Sequence, residues 1–494
     1  MTRSRIARPL SDQVLYIVLG TGVRTVVDLC LMAVLARALT QTDFGVFRQV
    51  LLVYGLVAGI ATLGLPPSLA FYMPGADTTA ARRFSTRTLG VLALLCLVGT
   101  AFLLPFGAWI ADSFGYAELQ VLLALAFLLP LGQMSLETSP YLLIGLGRYG
   151  RAGAMSAIMA LLQAGSVVAP AMLGAGLRAL CLSASLAAGL NFLILLVIAF
   201  RTTAIREQAQ QPVPSLPEQL RYSLPLGVQG MISTVSQRLD RLFIGLSFPP
   251  AILAVYSVGA TEVPLVPVLP YTVGRALTPH FVRLHREGNT LELISLWHRS
   301  ILKVGLVILP CFFLCFLLAP QLMTLAFGAG FVGAAAIFRI YLLMLPLRPT
   351  AYGTMLQALN DTPGVMYGSL LALSLNGVLG LALLSAIGWL GPAVGAVAAQ
   401  VILILFYMRR IARGLERPWR DLWPWRRYAI LIGVCVAAST AATPLLWLPS
   451  TPVIHIASVA TTFCVVYVFG LIKLGELDKG DLDRLVRWTT LRLS

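Results

Sequence analysis

About fourteen apolar stretches, each close to the ~20 residues a helix needs to cross a bilayer, follow one another almost end to end. Nothing else in the chain constrains its fold as strongly. In hydrocarbon a backbone amide has no water to bond, so a spanning segment must satisfy its own hydrogen bonds as a helix. Charged residues make up only 11% of the 494 positions and hydrophobic ones 58%, against about 25% charged in a soluble domain. The expected fold class is therefore all-α, a polytopic membrane protein of about fourteen transmembrane helices.

The expected spans cover residues 13–36, 46–73, 88–111, 119–145, 153–175 and 179–200, then 222–247, 252–275, 299–327, 334–357, 365–388 and 393–408, then 428–448 and 453–473. The first span is too long for a signal-peptide core and reads as a retained helix. The net charge of +16 does not point to nucleic acid, because the cations sit in short loops beside apolar spans. Of 36 lysines and arginines, 27 fall on one side, including Arg82, Arg83, Arg87, Arg148, Arg151, Arg201 and the run from Arg409 to Arg427. The opposite loops are assigned only Arg37, Arg48 and Arg178. The positive-inside rule places both termini in the cytoplasm.

The chain also repeats itself at an offset of about 210 residues. Phe44-Gly45-Val46-Phe47 has its counterpart in Ala254-Val255-Tyr256, Leu129-Pro130-Leu131 in Leu345-Pro346-Leu347, and Phe114-Gly115 in Phe327-Gly328. The implied organisation is a six-helix lobe at 1–200, a cytoplasmic connector at 201–221 and a second six-helix lobe at 222–410. A basic loop with two additional helices follows at 411–473, then an amphipathic cytoplasmic tail at 474–494. An even number of spans per repeat gives a pseudo-twofold along the membrane normal, with a cavity expected between the lobes.

A few charges remain inside spans, where each costs roughly 2.5–3.5 kcal/mol at a helix centre. The cations are Arg24, Arg238, Arg241, Lys303, Arg339 and Arg348, and the carboxylates Asp28, Glu137, Asp240 and Glu262. One reading is internal pairing, Arg24 with Asp28 and Arg241 with Asp240 or Glu262, which locks helices together. The other is a net-positive cavity lined by Arg24, Arg238, Arg241, Arg275, Arg339 and Arg348, suited to a phosphate that a guanidinium can grip through two hydrogen bonds. Pro66, Pro67, Pro264, Pro267, Pro270 and Pro346 break helices near mid-span; they serve either as gating bends or as packing kinks.

Other signals are weak. Gly145-Leu146-Gly147-Arg148-Tyr149-Gly150 spells a nucleotide fingerprint but follows a membrane helix, so it reads as a tight turn. The seven cysteines lie in apolar spans with no metal-type spacing, and His280, His285 and His298 lack partner ligands; no metal or cofactor is expected. Arg417–Arg427 alternates indole and guanidinium like an interfacial anchor. No nucleophile–base pair or phosphate-binding loop is present, so a non-enzymatic transporter is expected.

The segment Leu35-Ala36-Arg37-Ala38-Leu39-Thr40-Gln41-Thr42-Asp43-Phe44-Gly45-Val46-Phe47 resembles the first-loop signature of bacterial polysaccharide flippases, in the superfamily with multidrug/toxic-compound extruders and lipid II flippases. Asp240-Arg241-Leu242-Phe243-Ile244-Gly245 and Ala254–Ala260 resemble the start of that family's second lobe. The resemblance implies export of an undecaprenyl-pyrophosphate-linked oligosaccharide from the inner to the outer leaflet of the bacterial inner membrane. It also implies membrane lipids, a polysaccharide polymerase and glycosyltransferases as partners, while the two-lobed core points to a self-sufficient monomer. In the lipid II branch the last two helices hold the lipid tail, which would fall on 428–473 here. The rivals are a cation-coupled drug extruder, which would use Asp28, Glu137 and Glu262, a lipid II flippase, and a non-transporting scaffold or lipid-modifying enzyme, against which the short outer loops argue.

Overall fold

A computed structural model describes residues 10–74, 76–201, 213–263, 266, 268–447 and 451–475. The N-terminal arginines, most of the connector, Pro264, Pro267 and the amphipathic tail beyond 475 lie outside the described residues. Among those described there is no strand.

Eleven helices occupy the first half: α1 (Leu10–Ala38), α2 (Gln41–Ala61), α3 (Leu65–Tyr72), α4 (Thr78–Leu103), α5 (Gly107–Ser113), α6 (Leu119–Leu125), α7 (Leu129–Gly145), α8 (Tyr149–Met172), α9 (Gly176–Phe200), α10 (Leu216–Ser247) and α11 (Pro250–Gly259). Nine follow: α12 (Val268–Arg286), α13 (Thr290–Leu317), α14 (Ala319–Phe327), α15 (Ala334–Leu342), α16 (Tyr352–Ala358), α17 (Thr362–Ile387), α18 (Gly391–Gly414), α19 (Trp425–Ala442) and α20 (Pro452–Lys473).

Local chemistry sets where they start. Thr40 caps α2, its Oγ1 accepting from the Asp43 amide at 3.1 Å and donating to Asp43 Oδ2 at 2.8 Å. Ser215 and Glu218 form a capping box on α10. The bond from the Ser215 amide holds the Glu218 carboxyl below the usual range. Eight helical segments are long and apolar enough to cross a membrane, and the α6–α7 pair, bent by 50°, is a ninth candidate. Only 28% of the most apolar window in Thr78–Ser113, and 11% of that in Thr362–Gly414, is buried inside the protein. Lipid must cover the rest. The molecule is a multi-pass membrane protein. α1 and α10 are also long enough but carry the charges discussed below, and α10 adds Gln229, Ser233, Thr234 and Gln237.

Four helices break, and the breaks recur at the repeat's spacing. α2 gives way to α3 at 62–64, where Leu63 and Gly64 take positive φ (43° and 69°). Pro66 and Pro67 then fill the first turn of α3, where a missing N–H costs nothing. About 210 residues on, α11 ends at Gly259 and α12 restarts at Val268, with Pro270 in its first turn. α6 and α7 part at 126–128, and their counterparts α15 and α16 part at 343–351, with Pro346 in that irregular segment.

By compactness the chain divides into two bodies, residues 1–258 with 369–396 and residues 259–368 with 397–494. This partition groups α10 and α11 with the N-terminal helices, so it differs from the sequence repeat at 1–200 and 222–410. In the first body α1 lies so close on α8 that a Cβ on Gly20 would overlap the Gly153 backbone. α2 and α3 run along α10, with Gly55, Gly59 and Gly64 against Arg238, Thr234 and Gly227. The start of α10 is tied down by a buried network. Gln219 Nε2 donates to Ser68 Oγ and Thr88 Oγ1 (2.9 Å each), and its Oε1 accepts from Arg87 at 3.1 Å. In the second body Trp297, Ile411, Leu431 and Phe463 build one core from α13, α18, α19 and α20. Tyr467 and Tyr428 bond there to the Leu306 and Pro346 carbonyls (2.9 and 2.7 Å).

Candidate anion-binding site

Four helices of the first body converge their charges. Arg24 and Asp28 stand one turn apart on α1, Nε to Oδ2 3.9 Å. Glu137 on α7 lies in the field of both Arg24 and Arg238. Arg238 and Arg241, three residues apart on α10, share a face. Arg48 on α2 interacts electrostatically with Arg241, Arg238 and Asp28. Asp240 is buried and accepts from the Tyr256 hydroxyl at 3.3 Å. Four guanidiniums therefore face three carboxylates, and the balance is positive.

Sequence placed Arg48 among the outer-loop cations; the structure corrects this. The Thr40 cap starts α2 at Gln41, which carries Arg48 two turns into the helix. The signal was available in Thr40–Asp43, a cap that fixes the start of the helix. Gly55 leaves the space that the Arg238 guanidinium fills; a Cβ there would overlap it.

The other expected site residues belong to the second body. Arg348 Nη2 donates to Gln400 Oε1 at 2.6 Å, and its Nη1 is 3.9 Å from Glu262 Oε1. Glu262 does not sit in mid-helix as expected. It lies in the break between α11 and α12, exposed, with Arg348 as partner. Arg339 is held locally, its Nε donating to the Phe316 carbonyl at 3.0 Å and its guanidinium 5.5 Å from the Phe316 ring centre. Arg275 on α12 is exposed. Arg410 makes a two-point contact with Asp361 (2.6 and 2.8 Å), which holds that carboxyl below its usual range.

The remaining motifs find plain roles. Gly145–Gly150 is the turn from α7 to α8, with Gly147 at φ 68°. His298, read from the sequence as solvated or held at the lipid surface, is half-buried on α13. In the 419–427 stretch Leu422 is buried and Trp423 packs on Tyr428, while Trp419 and Trp425 stay exposed. Among the described residues the cysteines are free and no group of three or more ligating side chains could hold a metal.

A lipid II flippase, MurJ, in an inward closed conformation aligns over 93% of this chain and 99% of its own, at 11% identity and a TM-score of 0.70. An inward-facing multidrug resistance MATE family transporter of the MOP superfamily aligns over 80% of this chain and 96% of its own, at 16% identity and a TM-score of 0.58. A MATE protein in the straight conformation aligns over 82% and 96%, at 17% identity and 0.51. These likenesses establish the fold. No curated protein matches the chain in sequence. A family model described as polysaccharide biosynthesis protein matches residues 34–336, well over half of the sequence, and the chain belongs to that family.

Proposed function

We propose that this protein is a flippase, not an enzyme, that carries an undecaprenyl-pyrophosphate-linked oligosaccharide from the inner to the outer leaflet of the bacterial inner membrane by alternating access. Arg24, Arg48, Arg238 and Arg241 would receive the pyrophosphate. The observation that carries the reading is their convergence from α1, α2 and α10 in excess of the carboxylates around them. An unmatched cation in a membrane helix is costly and is kept for a purpose, and guanidinium suits a phosphate better than any other side chain. The family's role in polysaccharide biosynthesis fits such a cargo. The similarity to a lipid II flippase favours a second reading of the same chemical class, lipid II itself. A cationic-drug extruder fits less well, because Asp28 and Glu137 both lie in the field of arginines.

The test is complementation of a deletion strain. Arg24→Ala and Arg238→Ala should reach the membrane at normal levels yet restore no surface polysaccharide. Full restoration by both would remove the anion-carrier reading. Loss of viability on deletion, in place of loss of polysaccharide, would favour lipid II as the cargo. In the cell, the glycosyltransferases that build the repeat and the polymerase that uses it are the expected partners of such a carrier.

A further inference from the structure

In the second body three polar side chains meet at one depth. Glu262 lies in the break between α11 and α12, Arg348 in the irregular segment between α15 and α16, and Gln400 on α18. Glu262 follows the ten residues of α11, Arg348 follows the nine of α15, and Gln400 is the tenth residue of α18. At ~1.5 Å per helical residue, each stands roughly 15 Å in from the start of its span. That is the middle of a hydrocarbon core about 30 Å thick. Yet the Arg348 side chain is 34% exposed and that of Glu262 is 69% exposed. A carboxylate so open at that depth cannot face acyl chains. Irregular backbone is tolerated there only where protein covers it or water reaches it. The cluster therefore borders a polar hollow.

The segment that carries Arg348 is firmly mounted. Trp297 Nε1 donates to Thr350 Oγ1 (2.9 Å), and the Tyr352 and Tyr428 hydroxyls donate to the Leu347 and Pro346 carbonyls (3.0 and 2.7 Å). Arg348 Nη2 donates to Gln400 Oε1 at 2.6 Å, whereas its Nη1 stands 3.9 Å from Glu262 Oε1. The second distance is too long for a hydrogen bond, and it leaves room for one oxygen atom bonded to both groups. A locking ion pair looks different. Arg410 and Asp361 in the same body close at two points, to 2.6 and 2.8 Å.

Spare bonding capacity decides what fits. Among the described residues the Gln400 amide nitrogen, Arg348 Nε and the Glu262 carboxylate make no hydrogen bond. The cluster thus offers donors and acceptors side by side, and its two charges cancel. A phosphate reaching Arg348 would meet the Glu262 carboxylate as well. A pair of hydroxyls can instead donate to Glu262 while accepting from Arg348 and Gln400.

We propose that Glu262, Arg348 and Gln400 form a glycan-binding site that reads neighbouring hydroxyls on the sugar of the cargo, with Gln400 positioning the Arg348 guanidinium. This rests on the flippase reading and gives the second body a task of its own. The arginines of the first body take the anionic head whatever sugar it bears; the neutral cluster discriminates between sugars. Its loss should cost recognition of the glycan and spare recognition of the pyrophosphate.

The experiment measures calorimetric binding of two probes to the full chain in nanodiscs. One is the lipid-linked glycan extracted from a strain depleted of the protein; the other is undecaprenyl pyrophosphate, which lacks the sugar. The unaltered protein should bind the glycan-bearing probe about tenfold more tightly or better, the worth of one hydrogen bond to a charged group. Glu262→Ala and Gln400→Met should each remove most of that gain without weakening undecaprenyl pyrophosphate. Arg348→Lys keeps the charge but not the planar fork, and should lose the gain too. No gain from the glycan in the unaltered protein, or an undiminished gain in these variants, overturns the proposal. A cluster that only braces the two breaks would lower the melting temperature and weaken both probes alike, which also overturns it. Glu262 is exposed, so Glu262→Ala carries the test should Gln400→Met fail to fold. Arg24→Ala and Arg238→Ala, measured alongside, should weaken both probes and leave their ratio unchanged. If neither weakens either probe, the anion-carrier reading fails; if both do while the second-body variants keep the full gain, only the glycan site fails.

Discussion

Arg48 and Arg339 are both guanidiniums on apolar helices, yet their neighbours give them different work. Arg339 has its own partners, a carbonyl and a ring supplied by Phe316 on α13. Arg48 meets like charges, Arg238 and Arg241, with Asp28 as the opposing group. Like charges gathered in a membrane helix are unfavourable until an anion joins them. Arg48→Ala should therefore cut export about tenfold, the loss of one charge-assisted hydrogen bond worth about 1.5 kcal/mol. Arg339→Ala should leave export within about twofold, since it removes a local contact only. Flux of labelled lipid-linked glycan into the outer leaflet of proteoliposomes distinguishes them.

At the scale of elements, the breaks matter more than the helices. The α2–α3 break is held by Gly64, whose φ of 69° suits glycine and whose Cβ position is occupied by the backbone of Ser223 and Gly227 on α10. Close above lies the Gln219 network, which ties the start of α10 to α3 and α4. A change in α3 is thus felt directly by α10, the helix that carries Arg238 and Arg241. Gly64→Ala should destabilise the protein by about 2 kcal/mol or more, from strain alone of about 1–3 kcal/mol plus the collision. Gly90→Ala on α4, with open space around it, should be neutral or stabilising by up to about 1 kcal/mol. Thermal melts in detergent give both.

For the molecule as a whole, the governing term is the solvent. Apolar faces such as those carrying Leu94, Val98, Phe102, Leu186 and Leu193 are exposed on the protein, and hydrocarbon is the medium in which they cost nothing. Charge then orients the chain. Arg417 and Arg420 in the loop before α19 and Arg426 and Arg427 in its first turn crowd together, with exposed Trp419 and Trp425 beside them as interfacial anchors. In a cysteine-free background, Arg420→Cys should react with a membrane-impermeant maleimide only from the cytoplasmic side. Ser113→Cys and Thr451→Cys should react only from the outside. Labelling of Arg420→Cys from the outside and of Ser113→Cys and Thr451→Cys from the cytoplasm would reverse the orientation derived from the positive-inside rule, and labelling of all three from one side would overturn the order of spans.

Much of this was legible in the residues, for a physical reason. Membrane helices are selected by length, apolarity and self-satisfied backbone bonds, which are local properties; so are the Thr40 cap, the Gly147 turn and the Arg24–Asp28 spacing. Pro66, Pro67, Pro270 and Pro346 marked three of the four breaks, whereas the one at 126–128 was not read from the residues. Partner choice is not local. That Arg48 joins Arg238 across about 190 residues, that Glu262 leaves its helix to meet Arg348, and that Phe316 claims Arg339 depend on which helices come together. The sequence determined the medium, the helices and the stock of charges held within them. Only the tertiary structure decided which charges face one another, because Coulomb interaction depends on distance in space and not along the chain.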